Sequence, residues 1–192
     1  MGRRLIGLAL SAMLMATPAF AGPGPSEDVL GRAVPAADGR ATVVIYANRD
    51  NEKMLGRYAM PLLYELREQS PRVIVKVDLS DVPGLFHGVA RKKAREGFDQ
   101  SLRDMTEFFA AKGESAPADM KSQFFLVADM EGEAHRALGL PEGFDTPVVQ
   151  ALGPDGKELV RGKLTTSARR VEKVLSGSGD TVAGLDQKSG TR

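Results

Sequence analysis

The chain has 192 residues with 26 basic and 25 acidic side chains, and it contains no cysteine. A near-neutral balance leaves no excess of positive charge for phosphate contacts, which argues against a nucleic-acid binder. The missing thiols rule out disulfide staples, lipid attachment at a cysteine and any thiolate chemistry.

The first residues read as an export leader. Arg3 and Arg4 precede an apolar run from Leu5 to Met15, and Ala19 and Ala21 place small residues where a signal peptidase reads them. Cleavage is expected after Ala21, leaving 171 residues with 24 basic and 25 acidic groups, a net charge of −1. The apolar run is too short for a spanning helix, which needs roughly 20 residues. The expected organisation is a signal peptide at 1–21, a Pro/Gly-bearing lead-in at 22–40, one domain at 41–175, and a disordered tail at 176–192 rich in Gly, Ser, Thr and Asp.

Within the domain, Ala41 to Ala47 is a continuous β-branched run, the pattern of a strand buried on both faces. The polar loop Asn48-Arg49-Asp50-Asn51 follows and offers several helix caps. Leu55, Tyr58, Ala59, Leu62, Leu63 and Leu66 then form the stripe of a first helix, interrupted by Pro61, which kinks a helix interior. Arg72 to Leu79 is a second strand. In Ser80 to Gly113, apolar residues recur near the helical period. Gln123 to Ala128 is a third strand, followed by a turn and a short helix through Leu138. Thr146-Pro147 opens a fourth strand, Gly153-Pro154-Asp155-Gly156 has the chemistry of a hairpin turn, Glu158 to Arg161 is a fifth strand, and Thr166 to Leu175 is a closing helix.

This order, with the stretch from Phe124 to Gly162, resembles the thioredoxin-like fold and, within it, peroxiredoxin-like and periplasmic thiol-disulfide oxidoreductase-like proteins. The resemblance implies an α/β, thioredoxin-like three-layer sandwich: a central mixed sheet of about five strands with helices on both faces. It also implies that Thr146-Pro147 is a cis-proline turn and that Pro61 sits where those proteins kink their first long helix. The segment Asp78-Leu79-Ser80-Asp81-Val82-Pro83-Gly84 further resembles small secreted YtfJ-type bacterial proteins, which share the leader and the missing cysteine pair. The redox families carry their nucleophilic cysteine in the loop after the first strand. Here that loop reads Asn48 to Gly56, so disulfide exchange and thiol peroxidase activity are both removed.

Candidate binding residues cluster at one sheet edge. Asn48, Arg49, Asp50, Asn51 and Lys53 follow the first strand and precede a helix, the place where ligands gather in open α/β sheets. Thr146 and Pro147 border the same site by resemblance, which implies backbone pairing with an extended peptide of an envelope protein. His87 and His135 show no metal spacing, and no phosphate loop, nucleophile elbow or calcium loop occurs, so no metal and no cofactor is expected. Arg91, Lys92, Lys93 and Arg95 follow Leu85, Phe86 and Val89 as a short basic amphipathic stretch able to lie on an anionic membrane. Three readings stand open: a non-catalytic binding or adaptor module of the periplasm or cell envelope, an enzyme using non-thiol chemistry through Arg49, Asp50 or Lys53, and a protein held at a membrane surface.

Overall fold

A computed structural model of the chain describes residues 26–35 and 38–177. The expected leader and nearly all of the expected tail lie outside the described residues. Five strands form one sheet: β1 (Thr42–Asn48), β2 (Arg72–Asp78), β3 (Phe124–Asp129), β4 (Val148–Leu152) and β5 (Glu158–Lys163). Five helices accompany them: α1 (Met54–Glu65), α2 (His87–Ala111), α3 (Met120–Gln123), α4 (Glu133–Ala137) and α5 (Leu164–Leu175). The sheet order is β3-β2-β1-β4-β5. Strands β1, β2 and β3 are parallel, and β4 lies antiparallel to both β1 and β5.

The layering follows from handedness. Parallel strands joined through a helix cross over right-handedly, and the steps from β1 to β2 and from β2 to β3 move the same way across the sheet. Both α1 and α2 therefore land on one face, where α5 joins them. There Ile45, Leu62, Val75, Phe98, Leu164 and Val171 form the larger core. The chain crosses to the other face through α4, where Val44, Ile74, Phe125 and Ala134 make a smaller core. Phe98 of α2 stacks on Phe124 of β3 with ring centroids 5.3 Å apart, which pins the middle of that long helix to the sheet. α1 runs through Pro61, which is exposed.

The described part of the lead-in covers a sheet edge. The Val29 N–H donates to the Leu126 carbonyl at 2.8 Å, so the outer side of β3 is partly met by chain, which blunts an edge that would otherwise invite pairing. Asp28 holds this segment in a turn: its Oδ1 accepts from the Leu30 and Arg32 N–H groups, and its Oδ2 accepts from Arg32 Nε. The Arg32 guanidinium lies 4.5 Å from the Phe125 ring centroid and donates to the Lys121 carbonyl. Among the described residues, no helix is long and apolar enough to cross a membrane.

Candidate functional site

The carboxyl end of β1 is built on two asparagines. Asn48 ends the strand, and its Oδ1 accepts from the Asp50 and Asn51 N–H groups, which turns the chain at once. Asn51 answers in kind: its Oδ1 accepts from the Asn48 N–H at 2.9 Å. Both amide nitrogens then donate to one acceptor, the carbonyl oxygen of Phe144, at 2.8 Å from Asn48 and 2.9 Å from Asn51. Asn51 is 2% exposed. Buried amides are costly unless satisfied, and here the bonds among three residues tie the β1–α1 loop to the loop before β4.

The seven candidate residues therefore divide. Asn48 and Asn51 are committed to this lock. Neither caps α1, whose first turn follows Lys53 and has no side-chain cap. Arg49, Asp50 and Lys53 are exposed, and Arg49 pairs with Asp81 at 2.8 Å in the loop after β2. Thr146 is half-buried, and its hydroxyl donates to Asp145. The Thr146 main-chain N–H and C=O find no partner among the described residues. Pro147 is buried, and its carbonyl accepts from the Leu164 N–H at 2.7 Å.

The bond before Pro147 is trans; no cis peptide occurs among the described residues. The cis turn implied by resemblance is thus not adopted. Trans is the lower state of an X–Pro bond by about 0.5–1 kcal/mol. Placement of the two loops together does not depend on the isomer, because β1 and β4 are neighbours in the sheet.

A buried polar cluster behind this edge was not anticipated from the residues. Asp129, at the end of β3, is fully buried and accepts from the Glu133 and Ala134 N–H groups, fastening the start of α4. Its Oδ2 lies 2.9 Å from Nδ1 of His135, and Nε2 of the same ring lies 3.1 Å from the Ala47 carbonyl. Both ring nitrogens therefore have a polar partner, which a buried imidazole requires. Burial pushes the Asp129 carboxyl up, but the hydrogen bond and charge of His135 and the two N–H donors outweigh it and hold the group below its ordinary value. Tyr46 meets the His135 ring edge-on and donates to Gln150 at 3.2 Å. Lys76 approaches the Tyr46 ring, and burial lowers its pKa against the opposing pull of Asp129. The cluster is sealed, with His135 2% exposed, so it positions the end of β1 and has no opening for substrate. Its signal in the sequence is Lys76 and Gln150, polar residues interrupting the apolar runs of β2 and β4.

On the opposite face, α2 leaves the sheet uncovered toward its N-terminus. A groove of about 790 Å³ lies between α1, α2 and the sheet. Ile45, Val75 and Val77 form its floor, Met60 and Leu63 stand on the α1 side, and Arg49 and Lys53 reach its rim. The basic stretch lies along this helix: Arg91, Lys92, Lys93 and Arg95 are all exposed, as are Leu85, Phe86 and Val89. Among the described residues, no group of acids, histidines or cysteines is arranged to hold a metal ion.

The strand order, with three parallel strands, an antiparallel hairpin and a closing helix, defines a thioredoxin-like α/β protein, and the sequence makes it one without a thiol. No family model and no curated protein matches the chain in sequence. Solved structures similar to it include peroxiredoxin Q of Xanthomonas campestris, at 16% identity over 83% of this chain and 92% of that one, with a TM-score of 0.48. A secreted disulfide oxidoreductase of Mycobacterium tuberculosis homologous to DsbE is 11% identical over 81% of this chain and 94% of that one, with a TM-score of 0.45. The exposed lipoprotein thioredoxin Etrx1 of Streptococcus pneumoniae is 14% identical over 81% and 99%, also at 0.45.

Proposed function

We propose that this is an exported, redox-inactive binding protein of the bacterial cell envelope, related to the YtfJ-type proteins, that docks an extended segment of another envelope protein along Thr146. The reading is carried by one pairing: a thiol-free loop locked on Phe144, beside a half-buried Thr146 whose main-chain N–H and C=O have no partner among the described residues. Peptide-like groups in that position gain from an added strand, and backbone pairing needs no cysteine. Export is supported by the leader pattern from Arg3 to Ala21. The non-thiol enzyme reading required a buried catalytic group at this edge, and Arg49, Asp50 and Lys53 are all exposed. The membrane-surface reading retains one supporting observation, the exposed Leu85, Phe86 and Val89 ahead of the exposed Arg91, Lys92, Lys93 and Arg95.

A photo-crosslinker at the exposed position 145 should trap a discrete partner in envelope fractions, and Thr146→Arg should abolish that adduct while leaving the protein folded. An adduct indifferent to Thr146→Arg would remove the docking edge. The purified protein should neither reduce insulin disulfides nor consume peroxide with a thiol donor. Turnover that follows the protein through successive purification steps would overturn the redox-inactive reading.

A further inference from the structure

We infer that the groove between α1 and α2 is a second binding site, independent of the Thr146 edge, and that it takes an amphiphile with one extended acyl chain and an anionic head group. Shape is the first reason. The α2 residues bordering the groove run from Val89 to Met105, a distance of about 24 Å at about 1.5 Å per residue. The volume falls within the roughly 300–1,000 Å³ usual for small-ligand sites, and an elongated groove with an apolar floor suits a chain better than a compact ring system. The methionines on its walls, Met60 and Met105, adapt to a flexible occupant.

Two glycines supply the second reason. Gly56 in α1 and Gly97 in α2 both border the groove. Glycine inside a helix destabilises it relative to alanine, and neither position has the positive φ that would call for one. Nor is either crowded: a Cβ added at Gly56 or Gly97 meets no atom within 4 Å. Packing does not require the small residues, and their effect is to keep both walls open.

Charge at the rim selects the head group. Lys53 and Lys93 border the groove and make no ion pair among the described residues. Of the other charges there, Arg49 is paired with Asp81, and Asp104 stands eleven residues along α2 from Lys93, about 16 Å away at about 1.5 Å per residue, so at the Lys53 and Lys93 end Glu52 faces two ammonium groups. Phe86 and Val89, exposed beside the groove, provide an apolar approach for the chain.

The test is calorimetric titration of the purified protein with dodecanoate below its micelle concentration. Dodecanoate should bind with one site per chain, dodecyltrimethylammonium at least tenfold more weakly, and hexanoate not detectably. Gly97→Leu fills open space and favours the helix, so it should weaken dodecanoate binding at least tenfold while its melting temperature holds or rises. Charge reversal by Lys53→Glu with Lys93→Glu should remove the preference for the anionic head. Equal affinity for the two head groups, or full binding by Gly97→Leu, would overturn the inference, as would association with anionic vesicles without binding of monomeric dodecanoate. None of these readouts uses Thr146, so failure here with a persisting Thr146-dependent adduct would remove the groove alone.

Discussion

The two faces of the sheet near the carboxyl end of β1 are built on opposite plans. On the α4 face and at the β1–α1 loop, buried polar side chains are matched one to another: Asn48 and Asn51 on Phe144, Asp129 on His135 and two N–H groups, Tyr46 on Gln150. On the α2 face the first turns of the helix leave the sheet uncovered, Leu85 just ahead of them is 89% exposed, and apolar surface lines an open groove. The contrast shows where constraint is concentrated. The β1–α1 loop is tied down through its two asparagines, and open apolar surface lies between α1 and α2.

Removing a partner from the locked side should have the largest effect. Asp129→Ala leaves His135 buried against an empty position and frees two N–H groups, and a loss of about 3–5 kcal/mol is expected in urea unfolding. If the loss were below about 1 kcal/mol, the locked side would not be the stabilising one. Acid should reveal the same group. Because the folded-state pKa of Asp129 lies below the ordinary 3.8, its contribution is complete above that value and declines as pH falls through the folded pKa. An Asp129→Asn variant should show a flatter stability profile across that acidic range.

Alkaline titration sharpens the picture from the other side. Burial of Tyr46, with the Glu158 and Asp129 charges opposed by Arg161, pushes its hydroxyl up to about 12 from 10.0. The folded state then holds a proton that the unfolded chain releases, so stability should fall between pH 10 and 12, by about 3 kcal/mol at about 1.4 kcal/mol per unit. Tyr46→Phe should lack this component, and equal slopes for the two proteins would contradict it.

Neighbouring loop residues offer a finer comparison. Asn51→Ala removes a buried donor and acceptor together and should cost about 2 kcal/mol, whereas Asp50→Ala, at an exposed position, should change stability by no more than about 0.5 kcal/mol. The smallest effect is expected on the open side, where Gly97→Ala should stabilise by about 0.5–1 kcal/mol through helix propensity alone, since its Cβ meets nothing. Destabilisation there would mean that α2 packs more closely than the groove allows.

All five strands, most of the helices and one decisive negative were legible in the residues alone, whereas the short α3 was not. Apolar runs marked the first four strands, helical spacing marked α1, α2 and α5, and local turn chemistry marked the hairpin at Gly153–Gly156 and with it the fifth strand, because these signals depend on residues within one or two turns of each other. The absence of thiol chemistry is a matter of composition and needed no fold. Tertiary structure alone decided which of Asn48, Arg49, Asp50 and Asn51 face inward, since the deciding contact, Phe144, is 96 residues from Asn48. It decided the trans state at Pro147, which resemblance had implied to be cis. It also brought Asp129 and His135 together in the interior and left a groove beside the N-terminal part of α2, a helix pinned to the sheet at Phe98. Each of these is set by partners distant in the chain, and the energy of a buried hydrogen bond or an unfilled groove exists only once those partners have met.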